Sequence, residues 1–454
     1  VLILLGCDKG QEGKQGKEIR KTMNFINGFN LFVFAVLTLL YFYQMIYVIV
    51  ALVGEKKKEH FNEEAKKFHR YAFVVAARNE SAVIGNLIKS IRRQNYPAGL
   101  IDVIVIADNC TDNTAEIARS NGAIVFERFN HVLVGKGYAL DYCFNRIENE
   151  MGGVESYDGY FIFDADNIID RNYVREMNKV FDKGYRVITS YRNSKNYDSN
   201  WISAGYALWF LREAKFLNNP RMMMNTNCAV SGTGFLMSSA IVKANGGWKY
   251  HLLTEDIEFS IVSAIKGERI GYCEKAILYD EQPTSFKQSW NQRLRWSKGF
   301  YQVTFKYAGQ LLSTMFKKKE RFTSCYDMLM TIAPATLLTI VCCLVNITGI
   351  VACIIDPSIA STLLPVAAKS LLFTFVNMYT MLFVVGLLTI ITESRQIRCS
   401  NVKKILYLFM FPIYIFTYIP IAIVALFKKV EWKPIAHNCV MSVEDVQASR
   451  VQAK

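Results

Sequence analysis

Phe29 to Val53 is an almost unbroken apolar run, and three more follow late in the chain, at roughly Met328 to Ile355, Leu363 to Ile391 and Ile405 to Phe427. A helix needs about 20 apolar residues to cross the hydrocarbon core of a bilayer. Within that core only helices and closed barrels satisfy their own backbone groups, so runs of this length predict membrane helices. The charge pattern agrees. The chain has a formal net charge of +14, yet only 20% of its residues are charged and 52% are hydrophobic. The densest basic runs, Lys56-Lys57-Lys58, Lys317 to Arg321, Lys403-Lys404 and Lys428-Lys429, each abut an apolar segment. That placement predicts cytoplasmic flanks of membrane spans. No basic stripe is interleaved with stacking aromatics in a polar setting, which excludes nucleic acid as the partner.

The first and last runs carry particular expectations. Lys56-Lys57-Lys58 places the end of the first span in the cytoplasm, and Asp356-Pro357-Ser358 predicts a short external turn between the second and third. The last run contains Pro412 and Pro420 and is followed by Lys428-Lys429. A simple crossing would leave those lysines outside, so a re-entrant or kinked segment is the alternative. Val1 to Cys7 is apolar but too short for a secretory signal and lacks a basic leader. Residues 1–22 are therefore expected to be unstructured, or to precede a true start at Met23. The 11 cysteines include no Cys-x-x-Cys pair, and the five histidines are dispersed. Neither a disulfide framework nor a zinc site is indicated.

Between about 70 and 298 the pattern changes. Short apolar runs alternate with polar, helix-like stretches: Tyr71–Ala77 before a helix from Glu80, and Ile101–Ala107 before one from Asp112. Ala123–Glu127 then precedes a helix from Lys136, and Tyr160–Phe163 one from Asp170. This alternation predicts an α/β domain, a mostly parallel sheet with helices on both faces. Such sheets bind ligands at the carboxyl ends of their strands, which is where the polar motifs fall. Beyond it the expected organisation is a membrane helix at 23–55, an amphipathic interface helix at 299–322, membrane helices within 325–428, and a tail at 429–454.

The first strand ends in Ala77-Arg78-Asn79-Glu80, the second in Asp108-Asn109-Cys110-Thr111-Asp112. Asp108 is placed to accept hydrogen bonds from a base or ribose and Arg78 to meet a phosphate or base, although Asn, Asp and Thr also simply cap helices. Gly135-Lys136-Gly137 opens a helix where small residues let N–H groups approach an anion; a surface turn is the plainer alternative. Tyr160 to Phe163 runs into Asp164-Ala165-Asp166. Two carboxylates there repel unless a cation intervenes, and a hard ion such as Mg²⁺ or Mn²⁺ bridging to a diphosphate would serve. Thr254-Glu255-Asp256 starts another helix and offers Asp256 as a general base, with its charge favoured by the helix N-terminus and opposed by Glu255 and Glu258. Gln292-Arg293-Leu294-Arg295-Trp296 puts Gln292, Arg295 and Trp296 on one helical face, with Arg293 elsewhere. An amide, a guanidinium and an indole together suit a sugar diphosphate; an interfacial anchor is the alternative.

In this order and spacing the motifs resemble glycosyltransferase family 2, in particular its membrane-integrated polysaccharide synthases of the cellulose, hyaluronan and poly-N-acetylglucosamine type. The resemblance covers about residues 70 to 310, and its Gln-x-x-Arg-Trp after Thr-Glu-Asp marks the processive branch. It implies a GT-A-like cytoplasmic domain joined to an α-helical transmembrane region of the plasma membrane. Carried over by motif, Asp108 would contact the uridine, with Arg78 and Lys136 assisting. Asp164 would lie against the nucleotide and Asp166 would ligate Mg²⁺ or Mn²⁺. Asp256 would deprotonate the acceptor, Glu255 beside it would belong to the substrate-binding residues, and Gln292, Arg295 and Trp296 would form the floor where donor and acceptor meet. The implied reaction is inverting hexosyl transfer from a UDP-sugar, UDP-glucose or UDP-N-acetylglucosamine, onto a growing β-linked polysaccharide. Export across the bilayer and accessory secretion subunits are part of that expectation. Val230-Ser231-Gly232-Thr233-Gly234-Phe235 departs from the Phe-Phe-Cys-Gly-Ser of cellulose synthases, which puts cellulose in doubt. Two alternatives stand beside this reading: a single-transfer enzyme acting on a lipid-linked acceptor, and a transporter or scaffold with a nucleotide-sensing domain.

Overall fold

A computed structural model describes residues 14–54, 63–332 and 357–431, with short pieces between 341 and 355 and between 441 and 445. Lys56-Lys57-Lys58, Asp356 and much of the run expected at Met328–Ile355 lie outside the described residues. The helices are α1 (Lys14–Tyr41), α2 (Tyr43–Val53), α3 (Ile84–Arg92), α4 (Thr114–Ser120), α5 (Lys136–Glu150), α6 (Tyr173–Asp182), α7 (Trp201–Glu213) and α8 (Asn219–Met223). After them come α9 (Ser239–Asn245), α10 (Glu255–Lys266), α11 (Phe286–Lys317), α12 (Phe322–Ile332), α13 (Pro357–Glu393), α14 (Asn401–Phe416) and α15 (Tyr418–Phe427).

The chain divides into two compact units. One comprises residues 1–42 and 334–381 and is helical where described. In it Asn30 and Asn346 exchange side-chain amide hydrogen bonds of 3.1 and 3.0 Å, which satisfies two polar groups among apolar residues. The other comprises residues 43–333 and 382–454 and contains the whole sheet.

The strands are β1 (Tyr71–Ala77), β2 (Ile101–Asp108), β3 (Ile124–Arg128), β4 (Gly159–Asp164), β5 (Ile168–Ile169), β6 (Val187–Ser194), β7 (Phe235–Ser238) and β8 (Ile270–Asp280). They form one sheet in the order β3-β2-β1-β4-β7-β6-β8-β5. Strands β1, β2, β3 and β4 are mutually parallel. Because β7 is antiparallel to both β4 and β6, β6 runs with β4, and β8 is parallel to β6. Only β5 and β7 oppose the rest, which agrees with the mostly parallel sheet expected. Its centre is the β-branched and aromatic stretch Phe73, Val74, Val75, Phe161, Ile162 and Phe163, fully buried. One consequence positions the site: Asp108, Asp164, Arg192 and Asp280 all stand at carboxyl ends of parallel strands.

Three described helical stretches are long and apolar enough to cross a membrane: Asn24–Val53, Leu372–Glu393 and Asn401–Phe427. α1 starts at Lys14, ahead of Met23, and the Gln292 helix continues unbroken to Lys317 rather than restarting near 299. Pro357 and Ser358 belong to α13 rather than to a turn, with proline at the first helical position where its missing N–H costs nothing. The last run breaks into α14 and α15 at Thr417, between its two prolines.

A buried polar knot ties α2, α8 and α12 together. Arg221 Nε and Nη2 donate to Asp327 at 2.7 and 2.8 Å, and the hydroxyls of Tyr43 and Tyr47 donate to the same carboxylate at 3.0 and 2.8 Å. A bidentate guanidinium with two further donors fills the acceptor capacity that a buried carboxylate must satisfy.

Candidate active site

The strand ends are shaped by asparagines. Asn79 and Asn109, just past β1 and β2, hold φ of 57° and 52°, a left-handed conformation that Asn tolerates better than most residues. Their side chains lace the loops: Asn79 Oδ1 accepts from Thr111 N at 2.8 Å, and Asn109 Oδ1 accepts from Asn130 N at 2.8 Å. Asp112 accepts from Thr114 N at 3.1 Å and Ser81 N at 3.1 Å, the capping role open to it from sequence. Asp108 is buried and receives Arg128 Nη1 at 2.5 Å, both side chains less than a tenth exposed. Burial pushes its carboxyl up, while Arg128, Arg78 and His131 pull the other way. Arg78 and Asp108 thus share one electrostatic neighbourhood, with Arg128 as a partner that sequence reasoning missed.

The Asp164-Ala165-Asp166 turn solves its repulsion with protein groups. Lys136 Nζ donates to Asp164 Oδ1 at 2.5 Å and to the Gly232 carbonyl at 2.7 Å. Burial alone would lower the lysine pKa, but Asp164, Glu255 and Asp256 raise it on balance. α5 places this lysine because Gly137 lets the helix start lie against another loop; a Cβ there would sit 2.2 Å from the Tyr250 carbonyl oxygen. Asp166 is 3% exposed. Its Oδ2 accepts from Glu281 N at 3.0 Å, and Asn167 Nδ2 stands 3.4 Å from Oδ1. Behind it, Asp280 at the end of β8 accepts from Arg192 Nε at 2.8 Å. Burial, with Asp166 close by, pushes the Asp280 carboxyl up to about 6 against the pull of Arg192. Apolar Ile277-Leu278-Tyr279 running into Asp280-Glu281 carries the same signature as β4 and its aspartate, so Asp280 was legible in principle.

Thr254, Glu255 and Asp256 open α10 as expected. The helix carrying Gln292 lies close against them: a Cβ on Gly299 would come within 2.5 Å of the Thr254 methyl. Arg295 Nη1 donates to the Leu253 carbonyl at 2.9 Å. Burial raises both Glu255 and Asp256, each countered by Lys136 and Arg295, and for Asp256 also by the Ile257 N–H at the helix start. Gln292 Oε1 is shielded from solvent and has no hydrogen-bond partner among the described residues. The Trp296 indole packs edge-on against Tyr206 and Phe210, with ring centroids 5.7 and 6.3 Å apart.

Lys136, Asp164, Glu255, Asp256 and Arg295 therefore form one charged cluster around the Gly232 loop, and Asp108 and Arg78 form a second at β1 and β2. Asp166 turns toward Asp280 and Arg192. Arg293 points elsewhere, as its position in the helix predicts. Fully buried, it donates from Nη1 to the Tyr414 carbonyl at 3.2 Å and to Thr417 Oγ1 at 2.5 Å. Its guanidinium lies 4.6 and 4.9 Å from the Tyr414 and Tyr418 ring centroids.

Acidic and basic groups thus pair at the carboxyl ends of the parallel strands, where α/β sheets bind their ligands. Residues 69–299 match the family model described as glycosyltransferase like family 2. The chain belongs to that family. Among curated relatives it is 23% identical over 286 residues to the probable glycosyltransferase YdaM of Bacillus subtilis, covering 58% of this chain and 63% of that protein. It is 24% identical over 246 residues to a beta-monoglucosyldiacylglycerol synthase of Synechocystis, covering 53% and 50%. The chain thus spans between half and two thirds of the length of these two relatives. It is also 25% identical over 334 residues to a poly-beta-1,6-N-acetyl-D-glucosamine synthase of Staphylococcus epidermidis, covering 71% and 78%. Among solved structures, a mannosyltransferase from Pyrobaculum calidifontis is 15% identical with a TM-score of 0.44, covering 76% of this chain and 99% of that one.

Proposed function

We propose that this chain is an inverting, membrane-embedded hexosyltransferase that moves sugar from UDP-glucose or UDP-N-acetylglucosamine to the end of a growing β-linked polysaccharide, and passes that polymer through the membrane. The observation that carries this reading is the contact between two motifs far apart in sequence. The Gln292–Trp296 helix sits against Thr254–Asp256, with Arg295 bonded to the Leu253 carbonyl. Carbohydrate polymerisation needs an acceptor platform beside a base, and this contact supports that arrangement.

In this mechanism Asp108 and Arg78 bind the uridine end, and Lys136 with Asp164 orients the diphosphate. Asp256 takes the proton of the acceptor hydroxyl as that oxygen bonds to the anomeric carbon and the bond to UDP breaks. Gln292 and Arg295 donate to the departing diphosphate, while Trp296 offers a flat face to the acceptor sugar. Among the described residues no group of three or more His, Cys, Asp or Glu could hold a metal ion. The oxygen donors of Asp164 and Asp166 nonetheless fit Mg²⁺ or Mn²⁺, which usually takes only one or two carboxylates and fills the rest of its shell from phosphate and water. When bound, the ion would neutralise charge on the leaving diphosphate.

A second reading, single transfer to a lipid acceptor, is favoured by the similarity to the beta-monoglucosyldiacylglycerol synthase of Synechocystis. The longer match to the polymer synthase supports the first. Purified protein in detergent or vesicles, given labelled UDP-glucose and UDP-N-acetylglucosamine separately and together with Mn²⁺ or Mg²⁺, separates them. High-molecular-weight product is expected. Label confined to a lipid extract, one sugar per acceptor, would sink the polymer reading. Asp256→Asn should lose more than about 100-fold in turnover and keep its UDP affinity. Chelation by EDTA should weaken UDP binding in calorimetry, reversed by Mn²⁺.

A further inference from the structure

Between Asp166 and Asp280 lies a buried amide that no step above uses. Asn167 follows the Asp164-Ala165-Asp166 turn and is fully buried. Its Nδ2 stands 2.9 Å from Asp280 Oδ1 and 3.4 Å from Asp166 Oδ1, so one neutral donor group is set between two like charges. Its Oδ1 accepts the Thr233 hydroxyl at 2.5 Å. The oxygen of that hydroxyl in turn accepts the Asp164 N–H at 2.9 Å.

Charge fixes the direction of this amide. Turned over, it would set its carbonyl oxygen against two carboxylates and its N–H groups against a hydroxyl oxygen that already receives one. Only the observed orientation matches each donor to an acceptor. Asp280 is itself held from its far side, where Arg192 Nε and Gln282 Nε2 donate to Oδ2 at 2.8 and 3.0 Å. It is therefore a fixed post, and the amide bonded to it faces Asp166 from a fixed position. The other Asp166 oxygen, Oδ2, accepts from Glu281 N at 3.0 Å. Each carboxylate oxygen has two lone pairs, so both keep one for a ligand. A side chain anchored in this way has already lost the rotamer freedom that binding would otherwise cost it.

We propose that Asn167 is a positioning residue for the divalent ion: it shields Asp166 from Asp280 and holds the Asp166 carboxylate in the direction that would take Mg²⁺ or Mn²⁺. The inference rests on the metal role given to Asp166 in the transferase reading. It adds two residues that ligate nothing themselves, Asn167 and the Thr233 that sets its amide. Without the amide, the Asp166 and Asp280 carboxylates face each other directly, and their repulsion turns Asp166 off its direction. Groups that orient a ligand from behind typically change metal affinity about 10–100-fold when they are lost.

The test uses the full chain in detergent, with Mn²⁺ and UDP as probes. Calorimetry reads Mn²⁺ affinity in the presence of UDP, and UDP affinity in EDTA. Asn167→Ala removes the amide and leaves the bond from Asp164 N to Thr233 in place. Thr233→Val keeps the amide and frees it to turn. Each should weaken Mn²⁺ binding about tenfold and leave metal-free UDP affinity as in wild type. Thr233→Ser keeps the hydroxyl and should bind Mn²⁺ as wild type does. If Asn167→Ala does not fold, the two Thr233 variants decide between them. Mn²⁺ binding that is unchanged or tighter in Asn167→Ala and Thr233→Val would overturn the proposal. A parallel loss of metal-free UDP affinity, or a Thr233→Ser as weak as Thr233→Val, would assign these side chains to packing and overturn it as well. Wild type that binds UDP but takes up no Mn²⁺ with it would instead sink the metal role of Asp166 in the proposed function, and leave Asn167 nothing to position.

Discussion

At the scale of single residues, the site is governed by how Lys136, Asp164, Glu255, Asp256 and Arg295 hold one another's charges. In the proposed mechanism Asp256 must be ionised to accept a proton, and burial raises its pKa, so turnover should fall as pH drops through that raised value. Glu255 lies beside it and is raised by the same burial and by the charge of Asp256. Glu255→Gln removes a neighbouring negative charge, which stabilises the Asp256 carboxylate. The acid limb of the pH–rate profile should therefore move to lower pH; a limb that stays in place, or moves up, would show that Glu255 does not act on the base. Gly137→Ala is the steric counterpart. Its Cβ meets a backbone oxygen rather than a flexible side chain, so the helix start must shift and carry Lys136 with it. A cost of about 1–3 kcal/mol is expected, seen as a lower Tm and weaker UDP binding. Asp108, Asp164, Lys136 and Asp256 were legible because each ends a strand or starts a helix in a recognisable pattern. Arg128 and Arg192 were not, because a basic residue inside a strand carries no periodicity that distinguishes a partner from a solvated face.

At the scale of elements, β1 to β4 were readable because each is a short apolar run followed by a polar helix. Their predicted ends fall within about two residues of the observed ones. β6 and β8 escaped because their sequences mix Arg, Asn, Lys and Glu with apolar residues, whereas β7 is only four residues long and its pairing against both β4 and β6 is a long-range event with no local signature. The break at Thr417 was half legible. Two prolines announced a disturbance, while the group that occupies it, Arg293, lies 124 positions away. That arginine donates to the Tyr414 carbonyl at the junction of α14 and α15, a partner that proline-interrupted helices need inside protein. Arg293→Met keeps volume and removes the donors. It should destabilise by about 1.5–3 kcal/mol, measured by thermal unfolding in detergent, and shorten the product more than it lowers donor hydrolysis.

At the scale of the whole molecule, the transferase domain and the apolar helices of its unit fold as one body through polar locks as well as apolar contact. Asp327 is the strongest of them, since one carboxylate serves Arg221 and two tyrosines of α2. Asp327→Asn would leave a buried guanidinium uncompensated, at a cost of about 3–5 kcal/mol; an unchanged melting temperature would exclude that role. Sequence alone announced membrane helices but not this lock, because a lone Asp in an apolar run does not name its partner. The length of α11 has a mechanical meaning. Its 32 residues extend about 48 Å at 1.5 Å each, with Gln292 and Trp296 near one end. Along its course Lys298 and Tyr301 donate to the Ala425 and Ala422 carbonyls of α15 at 3.1 and 3.0 Å. In the membrane-embedded reading proposed above, a rod bonded to the apolar α15 transmits tilt, so the thickness of the surrounding bilayer becomes an input to the chemistry. Vesicles of graded acyl-chain length should then tune the rate of sugar addition while leaving nucleotide affinity alone, which makes the host membrane itself a control element of the enzyme.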